Sequence, residues 1–500
     1  MNPATNSMSI GLISRRYAFA LAFLISLPAI GQVVQTARYE IKVVERDEPR
    51  YSAVKLGENG MMIYRRIIGK KDDHFELIKL DTALKENWKG IVPVSKKLDI
   101  IQSKSYGNLL YLLLKDPQYI GKDLTIVALN LFNGTYRIYQ VRNIIPFYPA
   151  EFVLTDKAAL IGGYFNSRPL VIHYSFEQQS SRILPGFFNA PGELDQIKLS
   201  PDGTTDIIVS SRNFEKRRAL WIRTYDSRGE LLRTTILQPD EDKHLLFGRS
   251  MKLPDGRQVV CGIYGRFTEY SRGVFVATID VTGSYAIRYY NFAELKNFFS
   301  YMRARQQKRV KERIERRTIK GKKIKFNYRL LVHDLIEYNN ELLLVGEAFY
   351  PHYVYPRNYN PQARTERIFD GYKYTHAVVI GFRKNGLLSW DNSFEINDVK
   401  TFQLQQFVRV QPEENRILLM YLFENAIRTK IILDDEVLEG KTVDPAKLGA
   451  SGEELDREEE NTEKLDAWYG KYFYAAGTQS LKSRRGAYRQ VFFINKITYR

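Results

Sequence analysis

The sequence predicts an all-β fold, a single β-propeller of eight four-stranded blades with seven as the competing count. Three observations predict it. Short apolar runs separated by turn residues recur from Tyr51 onward, and the first unit starts are 47, 49, 47 and 53 residues apart. Four-stranded units at a period of about 40–50 residues are the mark of propeller blades. Aromatic residues make up 13% of the 500-residue chain, which favours strands. A single cysteine, Cys261, makes an internal disulfide framework impossible, so stability must come from burial.

In chain order, residues 1–31 read as a secretory signal peptide. Arg15 and Arg16 precede the apolar run Tyr17–Ile30, and Pro28-Ala29-Ile30-Gly31 offers small residues before Gln32. A run of 14 residues is short for a membrane span, which needs roughly 20. No Cys lies at the end of the run, so a lipoprotein anchor is not expected. Export with one thiol suits a bacterial envelope, periplasmic or at the outer envelope.

The repeat occupies 37–500. The unit around residue 250 shows it clearly: Arg249–Leu253, the turn Pro254-Asp255-Gly256, RQVVCGIYG, GVFVATIDV, a turn at Thr282-Gly283, then SYAIRYYNF. The unit before it repeats the order, with the turn Pro201-Asp202-Gly203. Proline second and glycine fourth fit a tight type I turn. Unit starts fall near Tyr51, Leu98, Phe147, Leu194, Phe247, Leu330, Gln403 and Asp466. The last unit lacks one strand, and ARYEIKVVE (37–45) is expected to supply it, closing the ring and removing sheet edges. The two Pro-Asp-Gly turns resemble the Ser-Pro-Asp-Gly turn of Tol-type periplasmic propellers. The whole chain resembles secreted or periplasmic propeller repeat proteins of bacteria, a resemblance that implies fold and address but no activity.

Three insertions break the period: 301–329, 350–375 and 434–466. In a four-stranded meander the B–C and D–A connections leave at the same end, so all three are expected on one face, where loops on a rigid scaffold serve binding. Segment 301–329 holds 13 Lys or Arg and two Glu, most of the formal net charge of +18. Apolar spacing predicts a helix from Glu294 to Arg317, stopped by Gly321, that projects Arg303, Arg305, Lys308, Arg309, Lys311, Arg313, Arg316 and Arg317. Segment 350–375 reads as a tyrosine-rich loop with Tyr350, His352, Tyr353, Tyr355, Arg357, Tyr359, Tyr372 and Tyr374, flat rings and guanidinium forks suited to sugars or peptides. Segment 434–466 holds 13 Asp or Glu against four Lys or Arg and reads as an acidic loop, helical or mobile over 453–460. The basic and acidic segments either neutralise one another across the rim or leave the basic helix for an external polyanion.

No catalytic motif appears. The six histidines form no His-x-His or HExxH pattern. His333, His352 and His376 share one unit with Asp334 and Glu347, but strand neighbours point to opposite faces, so His333 and Asp334 cannot converge. Cys261 sits in an apolar strand and reads as an inert core thiol. No metal and no cofactor is expected. The sequence therefore predicts a non-catalytic binding or scaffolding propeller of the bacterial envelope. Its partner is expected to be a protein, an acidic glycan or an anionic membrane surface. Nucleic acid is not expected, because the chain is exported and no aromatics interleave the basic run of 303–325. The alternative expectation is a glycan hydrolase or lyase with its site in the central channel.

Overall fold

A computed structural model describes residues 33–43, 50–70, 72–116, 123–142, 145–187, 190–240, 242–322, 324–355, 367–445, 454–455, 461–482 and 488–500. The expected signal peptide lies outside the described residues. Eight antiparallel sheets form eight blades. Blades 1 to 5 span 52–94, 99–141, 148–183, 192–237 and 244–291; blade 6 spans 329–401, blade 7 409–445, and blade 8 461–499. Within each blade the strands are lettered A to D from the inside outward. Strand D of blade 8 is Val33–Val43, which pairs with strand C, Tyr488–Tyr499, from Val33↔Tyr499 to Val43↔Gln490. The ring thus closes as expected, although the closing strand starts at Val33 rather than residue 37.

The core is distributed over the seams between blades. Eight clusters of buried side chains each join two neighbouring sheets, and the cluster of Tyr51, Ile63 and Leu80 with Trp468, Tyr474 and Ile494 joins blade 8 to blade 1. This explains why strands B and C read as apolar on both sides, as in Leu109–Lys115: each face meets another sheet. A buried Leu, Ile, Val or Phe contributes about 1.5–3 kcal/mol, against about 1 for a typical hydrogen bond, so sheet-on-sheet packing dominates. Cys261 is buried in the seam between blades 5 and 6, and burial pushes its thiol up.

Polar clips set the register between blades. The inner strands of blades 2, 3, 4, 5 and 8 each carry a bulge. A bulge frees a backbone carbonyl from its ladder. Gln102 of blade 2 donates to the Ala150 carbonyl at 2.7 Å, and Arg249 of blade 5 donates to that of Asp195 at 2.6 Å. The turns behave as their residues dictate: Gly203 and Gly256 take positive φ, and their N–H groups close onto Ser200 and Leu253.

Strands A and C run one way and B and D the other in every blade. The B–C and D–A connections therefore leave at one end, which is called the upper face here.

Candidate functional site

The connection from blade 5 to blade 6 is rooted before it becomes basic. Phe292, Leu295, Phe298 and Phe299 are buried in the seam between those blades, with Phe292 and Phe298 stacked at 4.5 Å. The Asp391 carboxylate of blade 6 accepts the N–H groups of Lys296 and Asn297, both at 2.8 Å. Burial raises its pKa, against the lowering effect of those two amides. Tyr301 then stacks on His376, and its hydroxyl meets that of Tyr328 at 3.1 Å.

The helix, α1, spans Ala304–Ile319 and does not begin at Glu294. Residues 294–302 make successive single turns, such as Ser300 N–H to Asn297 O and Met302 N–H to Phe299 O. Those turns satisfy the apolar spacing, because Asp391 holds the backbone where a continuous helix would have to pass. Gln307 closes them by donating to the carbonyls of Ser300 and Met302. Val310 and Ile314 touch the seam cluster and fix the helix on the upper face. At the other end Gly321 adopts φ 59°, and the N–H groups of Gly321 and Lys322 reach Thr318 and Arg317, a Schellman closure. Arg303, Arg305, Lys308, Arg309, Lys311, Arg313 and Arg316 are exposed, while Arg317 is half-buried. Arg313 also lies over the ring of Phe326 at 5.5 Å.

The tyrosine-rich segment is a projecting hairpin rather than a loop. Strands B and C of blade 6, Glu341–Val354 and Ile368–Arg383, continue past their neighbours in one ladder to Val354↔Ile368. Ring contacts run along it, tilted between Tyr374 and Phe349 and edge-on from Phe349 through Tyr372 and Phe369 to Tyr353. Tyr350, Tyr353 and Tyr355 are exposed and Tyr372 is half-buried. Tyr374 is a buried pin, not a surface group: its hydroxyl donates to the Gln405 carbonyl and accepts that residue's N–H. His352 Nδ1 meets Asp370 at 3.0 Å, and Lys400 together with His352 holds that carboxyl below its usual range. Arg357 and Tyr359 lie outside the described residues.

Helix and hairpin meet. Tyr301, Arg303 and Gln306 face Tyr350 and Lys373 across a cavity of about 390 Å³. On the other side of α1, Ile314, Thr318 and Lys322 face Tyr264, Arg266 and Arg272 of blade 5 across about 620 Å³.

The acidic segment is mostly not an insertion. Glu436–Pro445 is strand D of blade 7, and Asn461–Tyr469 is strand A of blade 8. Within 453–460, Glu454–Leu455 is a short strand on Lys482 and Leu481. The other residues of 446–460 lie outside the described residues. Asp435 sits at the C–D turn, at the far end of its strands from the upper-face connections, and binds Lys296 in the root at 2.7 Å.

The central channel is polar. Arg249 approaches Asp334 at 3.4 Å, and Gln196 donates to the same carboxylate at 3.3 Å. Burial raises the nearby Glu151 carboxyl, opposed by Arg249 and Lys104. Across the ring, Lys55 and Arg409 both bind Asp466 at 3.0 Å. Asp334 turns inward while His333 turns away, in the break between the strands Arg329–Val332 and Ile336–Tyr338. His333 Nε2 lies 2.7 Å from Glu347, whose carboxylate also takes the N–H groups of Phe407 and Val408, just before the first strand of blade 7. Glu347 is fully buried, so this carboxylate–histidine pair is a clip between blades 6 and 7. His376 is buried under Tyr301 and joins neither. Among the described residues, no three His, Cys, Asp or Glu are grouped to hold a metal.

No protein-family model and no curated protein matches the chain. Solved structures share its fold. The chain is similar to the β-propeller domain of the Trilobed protease from Pyrococcus furiosus, at 11% identity over 80% of this chain and 95% of that one, with a TM-score of 0.36. It is similar to the Dos1 propeller at 9% identity over 90% and 94%, TM-score 0.38. It is also similar to the polysaccharide lyase Uly1 at 10% identity over 79% and 89%, TM-score 0.38. At such identities the likeness is one of fold alone.

Sequence reading missed the Tyr301–His376 stack and the exposed turn aromatics Phe214, Phe267 and Phe402. The first joins residues 75 apart, and single aromatics in turns carry no periodic signal.

Proposed function

We propose that the chain is an exported, non-catalytic binding or scaffolding propeller of the bacterial envelope, Tol-like in address, that holds an acidic partner on its upper face. One observation carries this reading. α1 is anchored at its root by Asp391, Phe298 and Tyr301, yet it turns seven exposed cations, counting Arg303, outward. An anchored, cation-rich helix raises the local concentration of anions and speeds their capture. The test compares retention on an immobilised polyanion. The variant R305Q/K308Q/R309Q/K311Q is expected to elute at clearly lower salt than the parent. The control K85Q/K157Q/R228Q/K471Q removes four cations from the lower-end turns and is expected to elute with the parent. Equal retention of parent and helix variant sinks the reading.

A second reading, a glycan hydrolase or lyase acting in the channel, is favoured by one observation: Glu151, raised by burial, lies near Asp334 and Arg249. Shortening of acidic and neutral polysaccharides by the parent, lost in E151Q, would support it; no shortening removes it.

A further inference from the structure

We infer that the acidic partner is the surface of an anionic phospholipid bilayer, with α1 over the headgroups and the blade 4 to 6 turns entering the interfacial layer. This rests on the upper face being the binding face. Exposed apolar side chains stand on its connections over consecutive blades, beside the basic helix. Phe214, fully exposed, occupies the B–C turn of blade 4; Phe267, 66% exposed, and Tyr270 occupy that of blade 5. The blade 6 hairpin adds Tyr353, Tyr355, Ile368 and Phe369, and the connection to blade 7 adds Phe402, 67% exposed, and Leu404. Apolar groups are exposed at the lower end too, as with Phe132, Val281 and the adjacent pairs Leu231–Leu232 and Val437–Leu438, but the cation-rich helix stands at the upper end only.

Cations accompany the rings. Arg266 lies over Phe267 at 5.8 Å, Arg329 over Tyr270 at 4.8 Å and Arg367 over Tyr355 at 5.4 Å. Rings at the interface with Lys and Arg beside them are how a peripheral protein seats on an anionic leaflet. Two features favour lipid over an acidic glycan. The apolar groups are spread over turns, the hairpin ends and the end of α1, and they include the aliphatic Val354, Ile368, Leu404 and Ile319, which offer no ring face to a sugar. Among the described residues no helix is long and apolar enough to span a membrane, so seating would be peripheral.

The test is sedimentation of the full chain with vesicles of phosphatidylcholine alone and with about 30% phosphatidylglycerol, beside binding to soluble polygalacturonate. Binding is expected only with phosphatidylglycerol, weakened at least tenfold by R305Q/K308Q/R309Q/K311Q and at least threefold by F214S/F267S/F402S. Those three rings are among the most exposed, so thermal unfolding of the triple variant should match the parent. Phosphatidylglycerol binding that ignores the triple variant overturns the inference. Binding to polygalacturonate without vesicles overturns it too, while leaving the acidic-partner reading intact. Binding to neither, with no retention difference for the helix variant, removes both.

Discussion

Tyr301 stacks on His376 with ring centroids 3.8 Å apart and planes 5° from parallel, and this contact joins the root of the basic helix to strand C of blade 6. Phe298 and Tyr328 close the imidazole edge-on, and Thr375 meets its Nδ1 at 3.0 Å. His376 Nε2 is buried without a hydrogen-bond partner. Burial lowers the pKa to about 3. The unfolded chain therefore binds a proton that the folded one refuses, between about pH 6.5 and 3. His376 contributes stability that is fully present above about pH 6.5 and lost as pH falls, at up to about 1.4 kcal/mol per unit. Urea unfolding of His376→Phe against the parent at pH 7, 6, 5 and 4 should show the variant gaining relative stability at each step down. A constant difference would mean that the imidazole is hydrated.

Glu347 clips blade 6 to blade 7 through three donors: the His333 ring and the amides of Phe407 and Val408. Both oxygens are used, so Glu347→Gln must turn its NH₂ toward at least one buried donor. One orphaned donor costs about 1–3 kcal/mol, and Glu347→Ala, which orphans all three, costs more. Denaturation midpoints should fall in that order. Hydrogen exchange of the Phe407 and Val408 amides should speed up more than that of the blade 2 strands.

Asp195 holds the seam between blades 4 and 5. Its carboxyl accepts the Ser210 hydroxyl at 2.9 Å and the Gly248 N–H at 3.1 Å. Burial raises its pKa to about 8, although the Ser210 hydrogen bond and the nearby Arg218 act against the shift. A raised carboxyl gives stability that is full below about pH 4 and is lost as pH rises toward 8. Asp195→Asn keeps an acceptor for Gly248 and a donor for Ser210 without a charge. The variant is expected to gain on the parent steadily from pH 4 to 8 in thermal unfolding, and to trail or match it at pH 4. A gain that shrinks with rising pH would show that Asp195 is ionised in the fold.

The ring was legible because its signals are local. Strands buried on both faces give apolar runs, and Pro-Asp-Gly turns separate them. Unit starts read at Tyr51, Leu98 and Phe147 precede the observed strands by one residue, at Ser52, Asp99 and Tyr148. Error grows late in the chain: Gln403 stands for a strand that begins at Arg409, because Tyr374 and Glu347 pin 405–408 to blade 6 first. Strand D of blade 7 was hidden in an acidic run. Outer strands face solvent on one side, so EVLEGKTVDP tolerates charge and shows little apolar pattern. Of the upper face, the charge was visible and the contacts that anchor it were not. Asp391–Asn297 and Tyr301–His376 join residues 94 and 75 apart, and no local spacing records them.

Closure by the N-terminal strand carries the last prediction. Val33–Val43 covers the only free edge of Tyr488–Tyr499 among the described strands of that sheet. Arg38 donates to Asn495 at 3.0 Å and to Gln479 at 2.7 Å, tying three strands together, and the Tyr39 hydroxyl reaches Glu86 of blade 1. A chain starting at Glu48 would expose a long, apolar edge carrying Val491, Phe493 and Ile497, a template for pairing with another copy. Light scattering after size exclusion should show dimers and larger aggregates for the shortened chain, under conditions where the intact chain keeps one size. A synthetic peptide of residues 33–43 added in excess should restore that size, because it refills the edge. If the shortened chain stays at its own monomer mass without the peptide, the strand is dispensable and the seam between blades 8 and 1 alone holds the ring shut.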